Sequence, residues 1–242
     1  MVVAMNRIMA VFAAVSAAAM PATQAGAAER RYSVTDFDRI VVEGPFTVRL
    51  ATGRSPAATA TGSAQAIDRV SVEVQGRTLR IRANRSAWGG YPGVAAGPVA
   101  IQVSTHELRS AMVAGPGSLA IDRAEGLRVD LSVEGAGRIA AAGVDVDNLI
   151  LGVIGSGRIQ IAGTAKELRA SVHGWADLDA SGLTAQGANI TTDSAGRVAV
   201  AVVREARVTA SGLGEVEIIG SPACTLSGLT ASEVRCGDAG RR

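Results

Sequence analysis

A short glycine-centred motif recurs at a nearly constant interval through the second half of this chain and limits the folds open to it. Each copy has a small residue, any residue, a central glycine (alanine in one copy), any residue and then an apolar residue. The central position falls at Gly117, Gly137, Gly157, Ala176, Gly196 and Gly214. A fixed interval of about twenty residues is typical of solenoids, in which each repeat packs on its neighbours. The motif therefore predicts six stacked coils.

Apolar residues follow these turns with a period of two, as in the Arg-Ile-Gln-Ile sequence of 158–161. Alternation with period two indicates half-buried strands rather than helices. Strands in successive coils then pair in parallel about 4.8 Å apart, and glycines form the sharp corners between flat faces. The alternative is an antiparallel β-sandwich, whose turns usually recur every eight to twelve residues without one fixed repeat. The constant interval favours the parallel β-helix.

The alternation also predicts which side chains point into the solenoid. The inward positions are Val129, Leu131, Val133, Ile139, Val153, Ile159, Ile161, Leu168, Val172, Leu178, Val198, Val200, Val208 and Val216. The outward positions are Arg128, Asp130, Arg158, Gln160, Arg169, Asp177, Asp179 and Arg197.

The composition agrees with a tightly layered aliphatic core. Hydrophobic residues make up 48% of the 242 residues, but aromatic residues only 3%, and glycine occurs 29 times. The chain carries 24 Lys and Arg against 22 Asp and Glu. This near balance argues against nucleic acid as a partner, because nucleic-acid binding needs a basic stripe.

The N-terminal segment, 1–27, has the features of a secretory signal peptide. The apolar run Ile8–Met20 follows one cationic residue, Arg7, and small residues at Ala25–Ala27 suit a signal peptidase. A run of about 13 residues is too short for a transmembrane helix, which needs about twenty. We therefore expect an exported protein of the periplasm or cell surface, not an integral membrane protein.

The segments on either side of the repeats alternate less regularly. Phe37–Gly53 and Asp68–Ala83 read either as two strand pairs or as irregular first coils, and both readings make them a cap on the stack. The predicted organisation is a signal peptide at 1–27, a linker at 28–35, an N-terminal β segment at 36–83, a Gly/Pro-rich loop at 84–98, β-helix repeats at 99–220 and a C-terminal cap and tail at 221–242.

Cys224 and Cys236 are the two cysteines of the chain. In an oxidising compartment, cysteines this close in sequence most often form a disulfide, and two free thiols are the alternative. Two cysteines do not supply the four ligands of a structural zinc site.

Three aromatic residues are the candidate binding residues. Trp88 and Tyr91 lie on the predicted loop, and Trp175 lies at a corner where other repeats carry Ser, Ala, Pro or Leu. Exposed aromatic side chains stack on sugar rings or anchor protein partners. For each of them the alternative is packing against a neighbouring coil or cap.

The sequence offers little for catalysis, and we predict no catalytic residue, metal site or cofactor. The outward carboxylates of a β-helix can hold Ca²⁺ and polysaccharide, so an acidic face is a rival site, but scattered carboxylates are more often solvating groups. These carboxylates are Asp145, Asp147, Asp177 and Asp179. The two histidines, His106 and His173, are expected at the surface.

Three features together resemble the bacterial family of auto-transporter adhesin head GIN domains. They are the segment Phe37–Gly53, the segment Val70–Ile81 and the run of Gly-x-Gly-x-Ile repeats. The resemblance implies an exported, right-handed β-helix without established enzymatic activity, and it supplies no catalytic residues.

These observations lead to an expected function of a general kind. We expect a non-enzymatic, envelope-associated binding or structural protein whose partner is an envelope glycan or a protein. The alternatives are a polysaccharide-processing enzyme with an acidic face and a self-associating, adhesin-like scaffold. The oligomeric state stays open.

Overall fold

The computed structural model describes residues 28–84, 97–228 and 233–237. The predicted signal peptide and most of the predicted loop, with Trp88 and Tyr91, lie outside the described residues. The elements in chain order are β1 Ala28–Tyr32, β2 Arg39–Glu43, β3 Thr47–Ala51, β4 Ala57–Gly62, α1 Ala64–Asp68, β5 Val70–Gln75, β6 Thr78–Ala83, β7 Ala100–Ser104, β8 Ser110–Ala114, β9 Ser118–Ile121, β10 Ala124–Gly135, β11 Arg138–Gly155, β12 Arg158–Gly174, β13 Asp177–Ser194, β14 Arg197–Ser211, β15 Glu215–Ile219, β16 Ala223–Ser227 and β17 Glu233–Cys236.

Each central coil has three flat faces, which we call faces A, B and C. Each face pairs in a parallel ladder with the same face of the neighbouring coils. In β12, residues 158–161 belong to face B, residues 163–165 to face C and residues 168–174 to face A. All three parts pair in parallel with the corresponding parts of β11 and β13. The same pairing continues from β10 to β17. The predicted β-solenoid is confirmed.

Equivalent residues of successive coils stack directly on one another, at nearly constant offsets in sequence. On face A, for example, Val133 pairs with Val153 and Val153 with Val172. The register shifts where face B turns into face C, as between Ala141 and Val144. Differences in coil length are therefore absorbed mainly at this corner, with a further shift between Ala185 and Gly187, and faces A and B stay aligned.

The core is a set of aliphatic rows along the solenoid axis. Every inward position predicted from the alternation is at most 2% exposed, and the predicted outward positions are exposed or half-buried. Branched aliphatic side chains suit this core because they pack well on a pleated surface and lose little rotamer freedom in strands.

The two glycines of a corner have different physical roles. Gly155 has φ +110°, a conformation that other residues rarely adopt. Gly157 does not have a positive φ, but a Cβ atom there would lie 3.0 Å from the Gly137 carbonyl oxygen. At Gly157 the motif glycine thus allows the close approach of neighbouring coils, whereas the next coil accommodates Ala176 at the same position, and the preceding glycine, Gly155, makes the left-handed turn.

The N-terminal strands are mostly solenoid coils, but they do not stack in sequence order. Strand β2 lies between β6 and β8, and β3 lies between β7 and β9, all in parallel. The coil formed by β2 and β3 is therefore inserted between two coils that come later in the chain. Strands β5, β4 and β1 add antiparallel pairings at this end.

The prediction of a linker at 28–35 was wrong for its first part, Ala28–Tyr32, which forms β1. This strand pairs antiparallel with β4, and its end residues Ala28 and Tyr32 pack against the hydrophobic core. The strand was not predicted because its three consecutive charged residues interrupt the apolar alternation that indicates a strand.

Asp38 fastens the inserted coil to both of its neighbours. Its backbone N–H donates to the Arg77 carbonyl at 3.1 Å, and its carbonyl accepts from the Arg109 N–H at 2.8 Å. Its side chain is 5% exposed and lies 2.9 Å from Arg77 Nε and 3.6 Å from Arg109 Nε. One buried carboxylate therefore forms ion pairs with two guanidinium groups that begin the coils on either side.

A disulfide crosses the C-terminal end of the core. Cys224 and Cys236 are bonded, with Cα atoms 6.6 Å apart, a separation usual for disulfides. Cys224 pairs in register with buried Ala206 on face A, and Cys236 with buried Ile218 on face B. Both cysteines thus occupy inward positions, and the bond joins two faces of the last coil across the solenoid axis.

Helical structure is a minor part of the described chain. The helix α1 has five residues, and the Ser63 side chain caps its N-terminus by accepting from the Ala66 N–H. Among the residues that the structure describes, no helix is long and apolar enough to cross a membrane.

Candidate functional site

Trp175 lies at the tip of the corner that leads from face A to face B. It stands between Gly174, which has φ +98°, and Ala176, which is fully buried. The Trp175 backbone N–H donates to the Gly155 carbonyl of the preceding coil at 2.8 Å. The backbone is thereby fixed, and the indole is 76% exposed. Most of the Trp175 indole surface is therefore free of contacts with the neighbouring coils.

Two further apolar side chains are exposed beside Trp175. Leu213 is 76% exposed at the same corner, two coils further along, or about 10 Å by the inter-coil spacing. Ile154 is 57% exposed at the end of face A and is in register with His173. We call Ile154, Trp175 and Leu213 the corner ridge. The repeat alignment places Leu213 at the same corner position as Trp175.

Face A borders the corner ridge and carries exposed polar side chains in regular columns. One column runs Ser171, Thr191, Thr209. The column nearest the corner runs His173, Asp193, Ser211, and the column on the other side runs Arg169, Asn189, Arg207. We call the residues of these three columns the polar field. Within the described part of the chain, four side chains of this field make no hydrogen bond or ion pair with other side chains. These are Arg169, Asn189, Thr191 and Asp193.

Face B differs, because its polar side chains bind one another. Asp177 pairs with Arg158 at 2.6 Å, and Arg197 pairs with Glu217. Asp179 accepts from Ser181 Oγ at 2.6 Å. The hydrogen-bonding groups of face B are therefore largely satisfied within the protein.

The ionisation of the face B carboxylates does not suit acid catalysis. Partial burial raises the pKa of Asp177, but hydrogen bonds from the Arg158 side chain and the Arg197 backbone N–H outweigh it, and the pKa is lowered overall. Hydrogen bonds from Ser181 lower the pKa of Asp179. A general acid needs a raised pKa to hold its proton near neutral pH. Both carboxylates are instead held in the charged form.

The four carboxylates considered as an acidic face do not lie on one face. Asp177 and Asp179 belong to face B, whereas Asp145 lies on face C and accepts from Thr164 Oγ1 at 2.9 Å. Asp147 follows it and pairs with Lys166 at 2.6 Å. In the described ranges, no three His, Cys, Asp or Glu side chains come close enough together to hold a metal ion.

A groove of about 730 Å³ lies where the inserted coil meets the regular coils. Its lining includes the guanidinium groups of Arg39, Arg109 and Arg128, together with the exposed side chain of Leu127. Arg109 pairs with Glu107 at 3.1 Å, and Arg128 with Asp130 at 3.3 Å. Sequence reasoning missed this groove, because only the out-of-order stacking of β2 brings Arg39 beside Arg109.

The fold is shared with solved structures of bacterial proteins. A "putative adhesin" from Bacteroides fragilis matches with a TM-score of 0.76 and 18% identity, covering 88% of this chain and 96% of that chain. A "putative lipid binding protein" from Parabacteroides distasonis matches with a TM-score of 0.67 and 20% identity, covering 87% and 96%. A "putative adhesin" from Parabacteroides merdae matches with a TM-score of 0.59 and 15% identity, covering 87% and 95%.

The family comparison extends this likeness to the sequence. No curated protein matches the chain. The model of the family described as "Putative auto-transporter adhesin, head GIN domain" matches residues 36–222, which include the inserted coil, the regular coils as far as β15, and Trp175. The chain therefore belongs to the auto-transporter adhesin head GIN domain family.

Proposed function

We propose that the protein is an exported binding protein of the bacterial envelope, which holds its partner without chemical change through the corner ridge. The observation that carries this proposal is the exposure of Trp175, 76%, on a backbone fixed by contacts with the preceding coil. Tryptophan is enriched among the residues that dominate binding energy. The description of the family and of the B. fragilis structure as adhesins supports a binding role.

The rigidity of the corner supports the same role. Binding costs free energy when side chains and loops must be ordered, and a site on fixed backbone avoids part of that cost. The corner ridge stands on strands whose inward neighbours, such as Val153, Ala176 and Val216, are at most 1% exposed. A partner therefore meets a backbone that is already ordered.

The expected location belongs to this proposal. The signal-peptide features of 1–27 point to export, and the bonded Cys224 and Cys236 suit an oxidising compartment. The periplasm and the cell surface both satisfy these conditions.

The lowered pKa values and mutual pairing of the face B carboxylates give no support to the polysaccharide-processing alternative. A non-enzymatic role accounts for them as surface groups that hold neighbouring coils together.

The test measures retention of the purified protein on envelope fractions from its own source. Trp175→Ala should lower the affinity about tenfold or more, as expected of a dominant contact residue. The matched control is Leu127→Ala, because Leu127 is 77% exposed at a different corner. The control should bind like the unchanged protein, and circular dichroism should show that both variants fold. Equal binding by Trp175→Ala and the unchanged protein would overturn the proposal.

A further inference from the structure

We infer that the partner is a linear polysaccharide of low net charge, bound across the polar field with one sugar ring stacked on Trp175. The inference rests on the proposed function and names the ligand class of the same surface. It depends on two observations: the free hydrogen-bonding groups of the polar field and their position beside an exposed indole.

The polar field has donors and acceptors that the protein does not use. Arg169 and Asn189 are neighbours in one column, and Thr191 and Asp193 follow Asn189 on the outward positions of β13. All four are exposed, and none has a side-chain partner within the described ranges. On face B, by contrast, Asp177, Asp179 and Glu217 all have partners. These four side chains of face A therefore offer hydrogen bonds to a ligand without first breaking any of their own.

The spacing of these groups suits a chain of sugar rings. Neighbouring coils are about 4.8 Å apart, and outward residues along one strand are about 7 Å apart. A pyranose ring is about as long as one coil spacing, so a polysaccharide along the axis presents hydroxyl groups to every coil. Thr191 and Asn189 can donate and accept, and the Asp193 carboxylate accepts from hydroxyl groups.

Trp175 supplies the stacking surface at the edge of the field. It comes two residues after His173, whose column also contains Asp193. The flat indole matches the C–H face of a sugar ring, and the neighbouring carboxylate and hydroxyl groups reach the ring's hydroxyls. A ring stacked on Trp175 thus lies within reach of the free groups of the polar field.

The charges of the field favour a glycan of low net charge. Arg169 is balanced by Asp193, and Arg207 pairs with Glu205 at 3.2 Å. A polyanion would need an excess of basic residues, and so would an anionic lipid surface. A stable protein interface usually has a broad apolar centre, whereas the corner ridge is narrow, with Ala195 between Trp175 and Leu213.

The first experiment identifies the class of ligand on the envelope fraction itself. Binding should survive protease treatment and be lost after periodate, which cleaves the vicinal diols of sugars. Binding lost after protease but retained after periodate would identify a protein partner and overturn the inference. Binding to vesicles of phosphatidylethanolamine and phosphatidylglycerol, with none to deproteinised, delipidated glycan, would identify a lipid surface and also overturn it.

The second experiment uses two threonines of the same strand as matched variants. Thr191→Val removes a hydroxyl from the polar field, and Thr184→Val removes one from face C. Both residues are exposed, so both variants should fold. With deproteinised envelope glycan as the probe, Thr191→Val should weaken binding about fivefold and Thr184→Val should not. Asp193→Asn should weaken it similarly.

The variants also separate the two proposals. If Trp175→Ala abolishes binding to the envelope while Thr191→Val and Asp193→Asn bind like the unchanged protein, the proposed function stands and the polysaccharide inference fails. If Trp175→Ala has no effect on envelope binding, the proposed function fails, and the inference fails with it.

Discussion

Replacing Gly137 with alanine adds one methyl group at a place where two coils are in close contact. A Cβ atom at this position would lie 2.6 Å from Val113 Cγ1 and 2.7 Å from the Gly115 carbonyl oxygen. Carbon atoms in favourable contact are about 3.5–4 Å apart. Val113 is fully buried and cannot move into solvent. The overlap is therefore relieved only by separating two coils, which weakens the 2.9 Å hydrogen bond from Arg138 N–H to the Gly117 carbonyl.

The expected loss of stability follows from these two effects. Overpacking by one methyl group costs about 1–3 kcal/mol, and weakening a backbone hydrogen bond costs up to about 1 kcal/mol. We expect Gly137→Ala to lower the free energy of unfolding by about 2–3 kcal/mol. Urea titration followed by far-ultraviolet circular dichroism measures the change.

The control for this prediction is Gly152→Ala, one coil away. Gly152 does not have a positive φ, and a Cβ atom there would meet only Ser132 Cβ, at an ordinary contact distance of 3.7 Å. This variant should be neutral or stabilising by about 0.5 kcal/mol, because alanine reduces the entropy of the unfolded chain. If Gly137→Ala were as stable as Gly152→Ala, the close packing of coils would not be the reason for the recurring glycine.

Three further predictions concern the ends and the surface of the solenoid. Asp38→Asn should lower the free energy of unfolding by about 1–3 kcal/mol in the same assay, because it removes the charge that neutralises Arg77; unchanged stability would refute this role. Replacing Cys224 and Cys236 by serine should lower the free energy of unfolding by about 2–3 kcal/mol and speed hydrogen exchange in β16 and β17. Faster exchange confined to β10 would contradict the view that the disulfide stabilises the C-terminal coil. Because the pKa of Asp177 in the folded protein is below its usual value near 3.8, the charged carboxylate stabilises the fold at pH values above 3.8. This stabilisation is lost as the pH falls through the folded-state pKa. The fall in Tm from pH 6 to pH 3 should therefore be smaller in Asp177→Asn, and an equal fall would exclude this contribution.

The regular part of the fold could be predicted because each coil repeats the same local pattern. Alternation defines the inward side chains, and the recurring glycine defines the interval, so parallel stacking follows from residues such as Val153 and Gly157. The stacking order at the N-terminus could not be predicted in this way. Strands β2 and β6 have the same alternation, and nothing in that pattern says that β2 lies beside β8. Only three-dimensional contacts, such as those of Asp38, determine the order.

The candidate site was only partly visible in the sequence. The exposure of Trp175 was predicted because a large aromatic side chain at a corner has no room inside the solenoid. The exposure of Ile154 was not predicted because a single aliphatic residue at an outward position does not by itself indicate an exposed apolar site. The polar field depends on register, which changes wherever a coil gains or loses a residue, and the sequence does not show at which corner this happens. The roles of Trp88 and Tyr91 stay predictions, since both lie outside the described residues.

The whole solenoid depends on equivalent residues of successive coils stacking in one line along the axis. Pulsed electron paramagnetic resonance tests this with spin labels on pairs of cysteine variants of one column: Ser132 with Thr191, with Thr209 and with Ser227, which are three, four and five coils apart. Stacking in one line predicts separations of about 14, about 19 and about 24 Å, rising by about 4.8 Å per coil. Separations that do not rise steadily with the number of coils would contradict it.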